Sequence, residues 1–173
     1  MLKQGSTYEG PLSVKEGGIR LFDPVRVGVN KFSDERYARL VISSAQLLAA
    51  VGGTTLFQLA PAPGTNKFYE FLTGWLVMKH GGTAYTGLGN VAIHAGTAVG
   101  DGAFLSGNVP LNSFDSATSD IVQSIPQLTT TFTAATNRPL NLQWRSGAPV
   151  ASLTGGNGQL IVIVSYRIQD LAL

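Results

Sequence analysis

The sequence predicts an all-β chain: an antiparallel β-sandwich of jelly-roll type, with one short helix and an extended N-terminal arm. Three observations carry that expectation. Glycine accounts for 21 of 173 residues and charged side chains for only 13%, a composition that favours short strands and turns over helices. Near the C-terminus, Leu140, Leu142 and Trp144 alternate with Asn141, Gln143 and Arg145, the period-two signature of a half-buried strand. Seven or eight such short segments recur along the chain, with no heptad, tandem repeat or low-complexity tract.

The elements are expected in the following order. Residues 37–42 (YARLVI) read as extended. SSAQLLAAVGG is the one convincing helix, with Ser43 as its cap, Gln46 at the capping-box position and Gly52 as a left-handed stop. Thr54 to Ala60 is a strand closed by Pro61 and Pro63. Lys67 to His80 is long enough for one bent strand with a bulge or bend at Gly74. Asn90 to His94 and Gln127 to Thr133 supply two more, and Ser116 to Ile125 reads weakly as a short helix. GGNG at Gly155 to Gly158 is a hairpin turn leading into the last strand, where Leu160, Val162, Val164, Tyr166 and Ile168 line one face. On the opposite face Gln159, Ser165 and Arg167 are polar, but Ile161 and Ile163 are not. That apolar pair predicts a covering sheet, loop or subunit.

Charge divides the chain. Residues 1–39 hold seven Lys/Arg and five Asp/Glu, whereas the other 134 residues hold five of each sign. The division predicts an arm over residues 1–39 and a sandwich domain over residues 40–173. Gly5, Gly10, Pro11, Gly17, Gly18 and Pro24 break any helix in the arm, while Val25, Val27 and Val29 suit a short strand. The arm is either a solvated leader or an extended segment laid on a partner. The second reading rests on its apolar anchors Leu12, Val14, Ile19, Leu21 and Phe22, with Arg20 and Arg26 between them. The charge-poor stretch from Gly81 to Thr136 suits either an inter-subunit surface or an ordinary core.

No catalytic constellation is legible. His80, His94 and Asp101 lack the spacing of a metal site, and strand-end polar residues are the expectation for both histidines. No GxSxG occurs, and GLGNVAIHAG lacks the third glycine of a dinucleotide fingerprint. TGGNG has no following Lys-Ser/Thr and cradles no phosphate. Zero cysteines exclude disulfides and thiolate metal ligands, and no apolar run reaches membrane-spanning length. The N-terminus has no secretory h-region, and a net charge of +2 is too small to argue for nucleic acid. The expectation is a non-enzymatic chain with no cofactor, no nucleic acid and no membrane. Phe68, Tyr69, Phe71, Trp75, Trp144 and Tyr166 read as sandwich core, with a sugar-stacking platform as the alternative.

Several motifs in order carry a resemblance: Ser43 through Gln46, Ala60 through Lys67 (APAPGTNK), Gly82 through Tyr85 (GTAY), Asn137 through Leu140 (NRPL) and Gly155 through Leu160 (GGNGQL). Over roughly residues 40–168 the chain resembles a jelly-roll virion module of tailed bacteriophages. The resemblance implies a capsid decoration (cement) protein, commonly a homotrimer, bound to the major capsid protein on the outer surface of the phage head and made in the host cytoplasm. A tail-fibre or receptor-binding component attached to the host surface is the alternative it implies. A module beginning at Met1 and ending soon after its last strand is expected to attach by its own surface, which favours the cement role.

Overall fold

The computed structural model describes residues 13–15, 18–20, 35–50, 55–87, 89–99, 101–115, 117–128, 134–145 and 154–171. The chain divides into two compact units, residues 1–34 and 35–173. In the first, β1 (Ser13–Lys15) and β2 (Gly18–Arg20) pair antiparallel, with Val14 opposite Ile19.

The second unit is the antiparallel β-sandwich that the alternating pattern predicts. Its strands are β3 (Arg36–Ile42), β4 (Leu56–Ala60), β5 (Lys67–Lys79), β6 (Tyr85–Thr86), β7 (Asn90–Ala95), β8 (Ala103–Phe104), β9 (Val109–Pro110), β10 (Ile121–Ile125), β11 (Leu140–Arg145), β12 (Thr154–Gly155) and β13 (Gln159–Asp170). One sheet has the order β10-β5-β13-β3 and the other β4-β11-β7-β8, with β9 also on β7. The long-range pairs are nested: β3 with β13, β4 with β11, β5 with β10, β7 with β8. Every one of these ladders is antiparallel. Leu76, Met78, Leu160, Val162 and Val164 of the first sheet share one core cluster with Val91, Ile93, Leu140, Leu142 and Trp144 of the second.

The helix α1 (Ser44–Ala49) forms where the cap signal lies. Gln46 N–H donates to Ser43 Oγ at 3.3 Å, and Ser43 N–H donates to Gln46 Oε1 at 2.9 Å, so two orphan donors are satisfied reciprocally. Leu47 is its fully buried anchor. The helix stops at Ala50, whose extended backbone breaks the ladder, two residues before the expected stop at Gly52, which lies outside the described residues.

Other boundaries also differ from expectation. Arg36 to Arg39 face Tyr166 to Ile163 across the ladder, so the arm boundary drawn after residue 39 falls inside β3. Ser116 to Ile125 contains a strand instead of a short helix. Ile121 and Ile125 turn inward while Val122 and Ser124 turn out, and pairing with β5 overrides weak local propensity. The bulge of β5 sits at Leu72: Ser165 pairs with Thr73 and Tyr166 with Phe71, leaving Leu72 over. Its carbonyl accepts from Gln127 Nε2. Gly74 has a different role, since a Cβ there would lie 2.9 Å from Ile125 Cδ1 and 3.0 Å from the Ile163 carbonyl oxygen. GGNG closes no hairpin of β12 on β13, because β12 pairs with β6. Of the strand expected over Gln127 to Thr133, Gln127 bridges Ser106, and residues 129–133 lie outside the described residues.

Candidate binding face

The two sheets differ in how they meet solvent. In the second sheet every residue from Val91 to Ala95 and from Leu140 to Trp144 is buried, so both faces of β7 and β11 are covered; β11 is not the half-buried strand that its alternation predicts, because Asn141 and Gln143 lie inside as well. The first sheet buries only one face. Its residues alternate in exposure along β3, β5, β10 and β13, and the outward set is largely apolar.

Register aligns that set into rows. Val122, Val77, Ile161 and Val41 stand side by side across all four strands. The next outward row is Ser124, Trp75, Ile163 and Arg39; beyond it the register aligns Thr73, Ser165 and Tyr37, where Ser165 is itself buried and the alternation of β13 ends. Tyr37 is 71% exposed, Val122 61%, Trp75 47% and Val41 37%. β-branched side chains on a pleated surface present a stiff, flat patch. Polar groups close both ends. At one end Lys79 pairs with Asp120, whose other oxygen accepts from the His80 backbone N–H at 2.9 Å. At the other, Glu35 accepts from the Ser165 hydroxyl and from the Tyr37 hydroxyl at 2.9 Å. These donors hold the Glu35 carboxyl below the usual carboxylate range, the Ser165 bond contributing most.

This face thus carries exposed apolar side chains between polar ends, a pattern that suits an interaction surface. Ile161 and Ile163, read from sequence as needing a cover, stand in the middle of it. Trp75, read as core, stands outside. Tyr69, Phe71, Trp144 and Tyr166 are buried as expected; Tyr69 makes an edge-on contact with Tyr166 at 5.1 Å between ring centroids, and burial pushes its hydroxyl up to about 12.

No family model matches the chain, and no curated protein does.

His94 and Asp101 are engaged by neighbouring groups of the loop after β7. His94 is 1% exposed and contacts the Asp101 main-chain carbonyl through Nε2, and burial keeps its ring below the ordinary imidazole range. The Asp101 carboxylate accepts from the Thr97 hydroxyl at 2.6 Å, the Ala98 N–H at 2.9 Å and Arg138 at 3.0 Å, which staples the loop after β7. Among the described residues no three His, Asp or Glu side chains gather as a metal site. Of the arm anchors, Val14 lies in β1, and Ile19 and Arg20 in β2. Leu12, Leu21, Phe22 and Arg26 lie outside the described residues, as do Val25, Val27 and Val29.

Proposed function

We propose that the chain is a non-enzymatic structural protein of a phage virion, a decoration (cement) protein that binds the outer head surface and stabilises the shell. Its partners on this reading are the major capsid protein and further copies of itself, the trimer being what the motif resemblance implies. The observation that carries the reading is the apolar band on the outer face of the β10-β5-β13-β3 sheet, which suits attachment to protein and has no place in a water-filled catalytic cleft. The nested strand pairs support a jelly roll, whose eight strands wind into two sheets in that manner. The exposed Trp75 and Tyr37 favour a second reading, a tail or receptor-binding component, because aromatic rings on a flat sheet also stack on sugars.

Co-sedimentation decides between them. The purified chain is mixed with stripped phage heads and, in parallel, with intact host cells. Saturable pelleting with heads alone supports the cement role; pelleting with cells alone moves the protein to the tail. The arm is tested by removing residues 1–34, because a cut after residue 39 would also remove half of β3. Unchanged head binding by that truncation would refute a clamping role for the arm.

A further inference from the structure

We propose that residues 97–104 form a strap that lies closed over His94 at neutral pH and peels from β7 when that imidazole takes up a proton.

The closed strap leaves the ring no water. His94 is buried, and the main chain after β7 rests directly on it: a Cβ on Gly96 would lie 2.2 Å from His94 Cε1. The two ring nitrogens stand in different surroundings. Nε2 meets the Asp101 main-chain carbonyl, which can only accept, so Nε2 carries the hydrogen of the neutral ring. Nδ1 is left as a bare lone pair, buried and without a partner among the described residues. Protonation would turn Nδ1 into a charged donor with nothing to receive its hydrogen. A buried charge that lacks a partner costs far more than an idle lone pair on a neutral ring.

The groups around the ring do not relieve that cost. From β11, the Arg145 guanidinium lies 4.1 Å from the centre of the Phe104 ring, which itself stands 5.1 Å from the imidazole. A fixed positive charge so near opposes a second one. Asn141, opposite His94 on β11, spends its Nδ2 on the carbonyls of Gly96 and Pro139. The Asp101 carboxylate would favour the imidazolium, but it is already held by Arg138 at 3.0 Å, by the Thr97 hydroxyl and by the Ala98 N–H. Neither β8 nor the rest of β7 brings a charged side chain.

The strap is lightly attached. β8 is two residues long, and its ladder pairs only Ala103 with Ala95 and Phe104 with His94 itself. Peeling can stop at Leu105, whose N–H donates to the Ile93 carbonyl at 2.9 Å and whose side chain belongs to the core. The freed imidazole then meets water and holds its proton with ordinary affinity. Acid therefore draws the strap open. Opening should rise by up to about tenfold for each pH unit below about 6.5, until the closed form itself protonates.

Hydrogen exchange on the full chain, corrected for the chemical rate and read by mass spectrometry at pH 7.5 and 4.5, tests the strap. The Asp101 carboxylate, held below its ordinary range, stays ionised at both. A peptide over residues 97–104 should lose protection by about tenfold or more, while Leu160 to Val164 of β13 keep theirs. In His94→Gln, which retains a donor for the Asp101 carbonyl and takes no proton, the loss should vanish. Should that variant not fold, the wild-type ring decides: its nitrogen-15 resonances must move over the same pH range as the exchange. Exchange over residues 97–104 that ignores pH would overturn the strap. So would a rise that persists in His94→Gln, one that β13 shares, or one that the ring titration does not follow.

Discussion

Tyr85 and Gly156 exclude one another's side-chain space: a Cβ on Gly156 would lie 2.1 Å from Tyr85 Cδ1, so the ring rests against bare main chain. The Tyr85 hydroxyl then donates to the Gly158 carbonyl at 2.7 Å, and Asn157 Oδ1 accepts from the Thr83 N–H at 2.9 Å. Two motifs more than seventy residues apart, GTAY and GGNG, thus close on each other. Gly156 also sits at φ +83°, a left-handed conformation that L side chains resist. Gly156→Ala should therefore destabilise by about 3 kcal/mol, combining backbone strain with overpacking. Tyr85→Phe, which keeps the ring and loses the hydroxyl's bonds to the Gly158 carbonyl and Ser44, should cost about 1–2 kcal/mol. Equilibrium urea unfolding measures both; equal costs would mean the ring contact is unimportant.

Gly74 is a contact glycine of another kind. Its missing Cβ leaves room for Ile125 Cδ1 on one neighbour and the Ile163 carbonyl on the other. Gly74→Ala should cost about 1–2 kcal/mol, because β10 and β13 must both give way. Adding Ile125→Val removes the clashing methyl and should recover part of that loss. A double mutant no more stable than the sum of the singles would show that the strain lies against the Ile163 carbonyl alone.

Stability should fall in two steps on acidification. Burial holds His94 below its ordinary value of 6.5, and the pull of the Asp101 carbonyl and carboxylate the other way is smaller. The folded protein thus binds fewer protons there than the unfolded chain, and stability declines as pH drops below 6.5. Glu35, Asp101 and Asp120 are held below their ordinary range, by Ser165, Thr97 and Lys79 foremost. Their contribution is present above their unfolded values near about 4 and is lost as pH falls through the lowered folded ones. His94→Gln should flatten the upper step and leave the lower. Urea midpoints at pH 7.5 and 5.5 that still differ by the wild-type amount would exclude His94 as the cause.

The helix cap should behave as a local device. Ser43→Ala removes the hydroxyl half of the capping box, keeps the backbone N–H bond to Gln46 Oε1, and should cost about 1 kcal/mol. Ser43→Asp, which keeps an acceptor, should recover most of it. An alanine cost near zero would mean that Leu47 burial alone holds the helix.

The sandwich was legible because strand signals are local: β11 and β13 lie where period-two runs lie, and β3, β4 and β7 lie within short extended segments bounded by turn residues. The cap at Ser43 was legible for the same reason. Pairing partners were not, since nothing in TGGNG announces that β12 joins β6. The binding face was half legible. Ile161 and Ile163 broke the polar pattern of β13, but Trp75 read as core along with the neighbouring Phe68, Tyr69 and Phe71, and strict alternation along β5 would also place it on the side of Tyr69 and Phe71. The extra residue at Leu72 inverts that alternation, so Tyr69 and Phe71 face the core together with Leu76 and Met78 while Trp75 and Val77 face out. A bulge is fixed by the partner strand and leaves no mark in its own sequence. His94 was missed as a buried residue because its partner is a main-chain carbonyl, which no side-chain motif encodes.

The position of β13 between β5 and β3 has a kinetic consequence. Glu35 and Ser165 are 130 residues apart in sequence, and the whole β3 ladder closes over a comparable span. During synthesis β3 and β5 leave the ribosome well before β13, the strand that pairs with both. Closing so large a loop is slow, which places folding in the millisecond-to-second range typical of non-local β topologies. Until then both strands offer unpaired edges to other nascent chains. Production at lower temperature or slower synthesis should accordingly raise the yield of soluble protein more than any stabilisation of the finished fold.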